Sequence, residues 1–272
     1  MPALRDGVPF GTYVKIDAVN WSTLKLMDQS PLHYHHRHRD RKETPSLRLG
    51  RATHALALDP SCFAGQFAVY EGERRAGKAW EAFEAAHAGR DILKADELAE
   101  ARELATAVRE HPLLAPFRAD ARYEVTATWT DAASGLRCKA RPDWLAPGGV
   151  LLDLKTTRSI NALRFRSQAE TLGYFGQLAF YRRGLVANGV KVERVLLVAV
   201  ESAHPYDVGV FEVTEATLQS SDAEVGELLS RLVACRDSNH WPGRYESIQP
   251  LDRPEWATGA ELTITPDPDD EE

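Results

Sequence analysis

Two aspartates and a lysine carry the first chemical signal. Asp143 and Asp153 lie equally far from Gly148, within the stretch 137–156. That stretch reads as two short strands around a Pro147-Gly148-Gly149 turn. In a simple antiparallel hairpin the two acids face each other, with Cβ atoms about 5 Å apart. A bulge in the three-residue loop would shift the opposition by one position. Carboxylates this close repel unless a proton or a cation sits between them. Lys155 follows Asp153 by two residues, so the strand period puts it on the same face. Carboxylate oxygens are the ligands Mg²⁺ prefers. A metal held there can lower the pKa of a bound water, and the lysine can orient that water or stabilise developing negative charge. The arrangement suits hydrolysis of a phosphodiester. An ordinary hairpin with a salt-bridged lysine is the alternative, and for a lone Asp-x-Lys it is the better reading. The matched Pro142-Asp143 upstream shifts the balance toward a site.

The elements that must position these groups follow from local pattern. Thr44-Pro45 is a helix start, with a capping hydroxyl and a proline in the first turn. The helix runs to about Leu58 and stops at Asp59-Pro60. Gly50 and His54 share one face of it, and the glycine lets another backbone or a ligand come close. Taken alone, His54 reads as a structural histidine. Asn20 or Ser22 caps an earlier helix that carries Leu24 and Met27 and ends near Ser30-Pro31. Residues 1–18 show little pattern. The tract 33–42 is basic and His-rich, with no trusted zinc spacing. Solvation is its first reading and contact with DNA phosphates its second.

Residues 61–90 are mixed, with a short helix at 79–87. Asp96 opens a helix with Leu98, Ala101, Ala105 and Val108 on one face, ending near His111-Pro112. The segment 123–129 alternates, which predicts a strand with Tyr123, Val125, Ala127 and Trp129 on its buried side and Glu124 on the other. Residues 131–135 form a turn. In the hairpin, Arg137, Lys139, Arg141 and Asp143 share a face, a positive wall suited to a nucleic-acid backbone. A helix is expected over 165–186, with Tyr174, Gln177 and Tyr181 along one stripe. The apolar run 194–200 reads as a strand buried on both faces, 207–213 as an edge strand and 217–237 as a helix. Little regular structure is expected beyond Trp241-Pro242.

At 272 residues, 43% hydrophobic and 27% charged, the composition is that of a soluble globular chain, and its length permits one or two domains. The expected organisation is a single domain over 1–272. Its N-terminal helical part spans about 15–115, its sheet core about 120–215, and its C-terminal helix and Pro-rich acidic tail about 216–272. There is no apolar N-terminal leader, and no run approaches the roughly 20 residues of a membrane span. Cys62, Cys138 and Cys235 are widely spaced and odd in number. A cytoplasmic setting without a disulfide framework or a membrane is the expectation. The net charge of −7 counts mildly against nucleic-acid binding. Part of it lies in the run Asp267-Pro268-Asp269-Asp270-Glu271-Glu272, expected to be disordered and solvated. Without that run the remainder is close to neutral, with its basic residues near the motifs.

Pro142-Asp143 followed by Asp153-Leu154-Lys155 matches the PD-(D/E)xK nuclease signature. Ser22-Thr23-Leu24, Ser30-Pro31, Thr44-Pro45-Ser46-Leu47, Gly50-Arg51-Ala52-Thr53-His54 and Leu58-Asp59-Pro60 resemble the N-terminal half of RecE-type (exodeoxyribonuclease VIII) domains. Gln177 with Tyr181 resembles the Gln-x-x-x-Tyr motif of RecB-like nucleases. The resemblance implies an α/β fold of the restriction-endonuclease-like type, with a mixed central sheet flanked by helices. It also implies a Mg²⁺-dependent deoxyribonuclease, with Mn²⁺ as a substitute. The most direct form is a 5′→3′ exonuclease on double-stranded DNA ends in phage or prophage recombination. A single-strand annealing protein as partner and a homo-oligomeric state belong to the same implication. No iron–sulfur cluster is expected, because three cysteines fall short of four.

Residue roles come with the resemblance. His54, Asp143, Asp153 and the Leu154 carbonyl hold the metal, and Lys155 serves the attacking water. Glu124 stands behind the metal ligands, a solvent-facing glutamate being the alternative. Gln177 and Tyr181 sit beside the metal and hold the substrate or the lysine. Arg51 and Ser22 grip a terminal phosphate, and Arg141 meets the substrate. Two rivals stay open: a RecB-like nuclease of other polarity or an endonuclease, and a non-catalytic DNA-binding or assembly subunit of the same fold.

Overall fold

In the computed structural model, residues 2–37 and 44–254 are described. Positions 38–42 of the His-rich tract and the acidic terminal run lie outside the described residues. In chain order the elements are β1 (Ala3–Arg5), α1 (Phe10–Lys15), α2 (Trp21–Leu24), α3 (Leu26–Gln29), α4 (Pro31–His35), α5 (Pro45–Leu58), α6 (Phe63–Gln66), β2 (Phe67–Tyr70), α7 (Lys78–Ala86), β3 (Asp91–Lys94) and α8 (Ala95–Glu110). There follow β4 (Arg122–Tyr123), β5 (Thr126–Thr130), β6 (Arg137–Ala140), β7 (Trp144–Ala146), β8 (Val150–Thr157), α9 (Ala162–Leu172), α10 (Tyr174–Ala187), β9 (Arg194–Glu201), β10 (Val208–Glu212) and α11 (Glu215–Ser238). No helix among the described residues is long and apolar enough to cross a membrane.

The central sheet has the order β10-β9-β8-β7-β4. β8 and β9 run parallel and the other pairs antiparallel, so the sheet is mixed. The apolar run of β9 is buried on both faces, as a strand between two covered faces must be. One face takes Leu58 of α5 with Leu104 and Val108 of α8, packed on Leu152, Leu154 and Val198. The other takes Phe165 of α9 with Leu178 and Leu185 of α10, packed on Leu151, Val195 and Leu197. A second sheet, β1-β5-β6, packs Ala127, Trp129 and Cys138 against Trp21, Leu24, Phe180 and Val225. α10 lies between the two sheets. It gives Leu178 and Leu185 to one and Ala179 and Phe180 to the other, so it is apolar on more than one side.

α5 has the expected bounds. The Thr44 hydroxyl accepts the Leu47 N–H at 3.2 Å, and Asp59 ends the helix. Several expectations need correction. The segment 123–129 is two strands in different sheets, because Glu124 adopts φ +52° and turns the chain. Thr126 and Thr128 are also buried, so alternation does not describe the pair. The first arm of the hairpin breaks likewise, β6 belonging to one sheet and β7 to the other. The helix expected over 165–186 is two helices parted by Gly173 at φ +72°. Residues 1–18 hold β1 and α1, and 61–90 hold β2, whose parallel partner is β3. The positive wall does not form. Lys139 is buried, and its ammonium donates to the carbonyls of Tyr13, Val14 and Ile16 at 2.7–3.0 Å, at the C-terminal end of α1.

Candidate active site

The acids gather where the chain crosses between the two sheets. One crossing is Glu124-Val125, between β4 and β5; the other is 141–143, between β6 and β7. They run side by side, with the Glu124 N–H donating to Asp143 O at 2.9 Å and the Val125 N–H to Pro142 O at 3.2 Å. Trp144 pairs with Leu152 in the β7–β8 ladder, so one step further Asp143 stands opposite Asp153. The opposition symmetric about Gly148 therefore holds, with no shift from a bulge.

Asp143 is buried, and its Oδ2 accepts the Leu154 N–H at 2.9 Å. Burial, then the charge of Asp153, raises its carboxyl well above the ordinary range, against Lys155 and the Leu154 N–H. Asp153 is 0% exposed. The Lys155 ammonium lies against its Oδ2, yet neither carboxylate oxygen receives a hydrogen bond of sound geometry. The close ion contact and the missing hydrogen bond both stand, since proximity of charges does not require N–H alignment. Burial alone would lower the Lys155 pKa, but Asp153 and Asp143 outweigh it and hold the amine above its ordinary value. The ammonium also sits 4.8 Å from the centre of the Tyr174 ring.

His54 arrives from α5. A Cβ on Gly50, one turn earlier, would lie 3.3 Å from Thr156 Oγ1, so the missing side chain lets the helix lie close on β8. His54 Nδ1 is 3.5 Å from Asp143 Oδ2. Burial, then the charge of Lys155, lowers its pKa, which favours the neutral ring a metal requires. Potential ligand atoms of His54, Glu124 and Asp143 all lie within 4.8 Å of one another. Glu124, expected behind the ligands, lies in this group of three, and Asp153, opposite Asp143 in the register, lies outside it. One neutral imidazole and several carboxylates are a donor set for a small hard divalent cation. Asp153 Oδ1, buried and without a hydrogen-bond partner among the described residues, is an oxygen that such a cation would satisfy.

The remaining expected residues fall in several places. Leu154 is buried in β8 beside the acids, and its N–H is the one that Asp143 accepts. Gln177 Nε2 donates to the Tyr181 hydroxyl at 2.7 Å. Burial, then Asp153 and Asp143, holds the Tyr181 pKa well above its ordinary value. Arg141 binds the Glu124 carboxylate and donates to Val8 O at 2.7 Å. Arg51 bonds Asp91 at 2.7 Å, and the Ser22 hydroxyl bonds Asn20 Oδ1 at 3.2 Å. Tyr13 escaped the sequence reading. It is buried in α1 with the Lys139 ammonium 4.8 Å from its ring centre, and burial holds its hydroxyl above the ordinary pKa against the nearby Arg141. Its stretch has no periodicity that could have marked it. Two surface cavities, about 500 and 300 Å³, lie elsewhere, and none of the expected site residues lines either.

A solved structure from Eubacterium rectale, provisionally named an exonuclease, is similar over 92% of this chain and 96% of its own, with 15% identity and a TM-score of 0.63. That is a likeness of fold. SSO0001 is similar over 77% of this chain and 87% of its own at 16% identity, but its TM-score of 0.30 carries no argument. No curated protein matches. The family model described as a PDDEXK-like domain of unknown function (DUF3799) matches residues 20–254, a span that holds the whole acid cluster, His54 and Lys155. The chain belongs to this family of PDDEXK-like domains.

Proposed function

We propose that the chain is a divalent-metal-dependent deoxyribonuclease acting as a 5′→3′ exonuclease on double-stranded DNA ends. The observation that carries the reading is the buried carboxylate of Asp153, opposite Asp143 and against the protonated Lys155, with its Oδ1 left without a hydrogen bond. His54, Glu124, Asp143 and Asp153 would hold the cation, with the Leu154 carbonyl as a further oxygen. Mg²⁺ in that place, or Mn²⁺, would lower the pKa of a water and offset charge on the phosphate. Lys155 donates to the attacking water or to a phosphate oxygen, and the Tyr174 ring shields its ammonium from solvent. Tyr181 stays protonated beside the acids, and Gln177 fixes its hydroxyl. Arg141 holds the Glu124 carboxylate in place.

Family membership supports the nuclease reading. The resemblance to RecE-type domains and the provisional name of the E. rectale neighbour favour action at ends. In this reading Arg51 and Ser22 receive a terminal phosphate. The setting is cytoplasmic recombination of the phage type, with a homo-oligomeric enzyme and a single-strand annealing protein as partner. The test is a duplex labelled at either end. Release of 5′ label with Mg²⁺, none in EDTA, and preference for 5′-phosphate over 5′-hydroxyl are expected. Cleavage of closed circular DNA would replace the exonuclease by an endonuclease.

A further inference from the structure

We infer that α4, the C-terminal part of α11 and residues 239–244 form a platform for single-stranded DNA, built from none of the metal-binding residues. It rests on the proposed function only for the class of ligand. The described part of the His-rich tract lies here. Tyr34, 2% exposed, stacks on Trp241 with ring centroids 6.0 Å apart and planes at 11°. Trp241 in turn meets His35 at 4.8 Å, and His35 meets His36 edge-on at 5.2 Å. The rings form a ladder from the core to solvent, and the two histidines at its outer end are exposed. A ladder anchored at Tyr34 is already ordered, so an unpaired base can stack on its open end with little further loss of freedom.

Cations flank the ladder. Arg37 lies over the Tyr34 ring at 4.4 Å. Arg231 donates to Met27 O at 3.1 Å, Arg244 to Gln29 O at 3.1 Å, and Arg236 to the Tyr34 hydroxyl at 3.4 Å. None of these four has a carboxylate partner among the described residues, whereas Arg141, Arg183 and Arg194 are ion-paired. Their remaining N–H groups are available to phosphate oxygens. Arg231, His240, Arg244 and Ser30 line the adjoining cavity of about 500 Å³. Opposing charge is present as well: Asp28 lines the same cavity, Glu246 lies 3.8 Å from His240, and the exposed Asp237 follows Arg236 on α11. A duplex keeps its bases inside its own stack, so only a single strand can offer bases to the ladder and phosphates to the arginines together.

The full chain is titrated in EDTA with fluorescent oligothymidylate and read by anisotropy. The double variant His35→Ala/His36→Ala should weaken binding about ten-fold, since stacking is lost. Arg244→Glu should also weaken it and reduce the salt slope by about 0.7 per lost phosphate contact. Both should bind a blunt duplex of equal length as the parent does, and hydrolyse it in Mg²⁺ at the parent rate. Parent-like oligothymidylate affinity and salt slope in both variants would overturn the platform. So would an equal loss for the duplex, which would make the surface a general phosphate contact. Absent hydrolysis with intact oligothymidylate binding would remove the proposed nuclease and leave the platform standing.

Discussion

At Lys155 one buried ammonium compensates a buried carboxylate, and the same contact aims the amine at the acid pair. Lys155→Ala should therefore do two things. Hydrolysis in Mg²⁺ should be lost, and stability in EDTA should fall by roughly 3–5 kcal/mol, the usual result of leaving a buried charge unpaired. Excess Mg²⁺ should restore part of the stability but none of the rate, because a cation can neutralise Asp153 without replacing an N–H donor. Thermal melts with and without metal, beside a hydrolysis assay, read both; full activity in the variant would sink the assigned role. Asp143 behaves in the opposite sense. Its carboxyl is raised above the ordinary value of 3.8, so between that value and the raised one the folded chain holds a proton that the unfolded chain has released. Stability without metal falls as pH rises through that window. Asp143→Asn removes the slope, and it should match or exceed the parent in EDTA at neutral pH while binding Mn²⁺ more weakly. Calorimetric titration of Asp143→Asn and Asp153→Asn decides, and unchanged Mn²⁺ affinity in both would mean that the pair is not the metal site.

Gly173 shows how an element boundary shapes the site. It sits at φ +72° between α9 and α10, its carbonyl accepts the Trp21 indole N–H at 2.9 Å, and a Cβ there would meet Trp21 at 3.3 Å. The break starts α10 at Tyr174, the residue that covers Lys155. Gly173→Ala should cost about 1–2 kcal/mol for the left-handed backbone alone and should slow hydrolysis as Tyr174 shifts. A parent-like melt and rate would show that the residue tolerates a side chain. The break was hidden in the sequence because one glycine in an apolar stripe is compatible with a helix, and a distant tryptophan decides the matter. Glu124 was hidden for a related reason: alternation continues through it while the backbone changes sheets. The burial of Lys139 depends on α1, a stretch without pattern. What could be read was what neighbours specify. The turn at Gly148 set the register of Asp143 against Asp153, Thr44-Pro45 and Asp59-Pro60 bounded α5, and the apolar run 194–200 marked β9. Asp143, Asp153 and Lys155 were legible through residue type and spacing, and His54 only through the family resemblance. A place for Glu124 among the ligand atoms, and not behind them, was not legible, because it arises from one positive φ.

Across the whole molecule, the candidate ligands come from separate layers. His54 is carried by α5 on one face of the central sheet, Glu124 and Asp143 by the crossings between sheets, and Asp153 by β8. A cation at their meeting point would tie the helical layer to both sheets, and it would do so only in the folded chain. Binding of that kind stabilises by mass action, about 2.7 kcal/mol at a ligand concentration one hundred times Kd. Mg²⁺ or Mn²⁺ should therefore raise the melting temperature relative to EDTA, and His54→Ala should keep only part of the rise. The variant comparison separates His54 from the carboxylates, because Asp143, raised above its ordinary value, also gives up a proton to a metal as pH rises. Burial, then Lys155, lowers its pKa from the ordinary 6.5, so between the lowered value and 6.5 the folded chain binds fewer protons than the unfolded chain. The contribution of a neutral His54 to stability is full above pH 6.5, and it is lost as pH falls through that window. A metal ligand adds to this, because protonating the ring expels the metal. The metal-induced rise in melting temperature should thus persist below pH 6.5 in the parent and decline only under the depressed pKa. In His54→Ala a smaller rise should follow the carboxylates alone. Melts of both proteins in Mn²⁺ and in EDTA across that range make the comparison, and the other histidines cancel between them. A variant with the parent's rise and the parent's pH profile would take His54 out of the site and detach α5 from the chemistry.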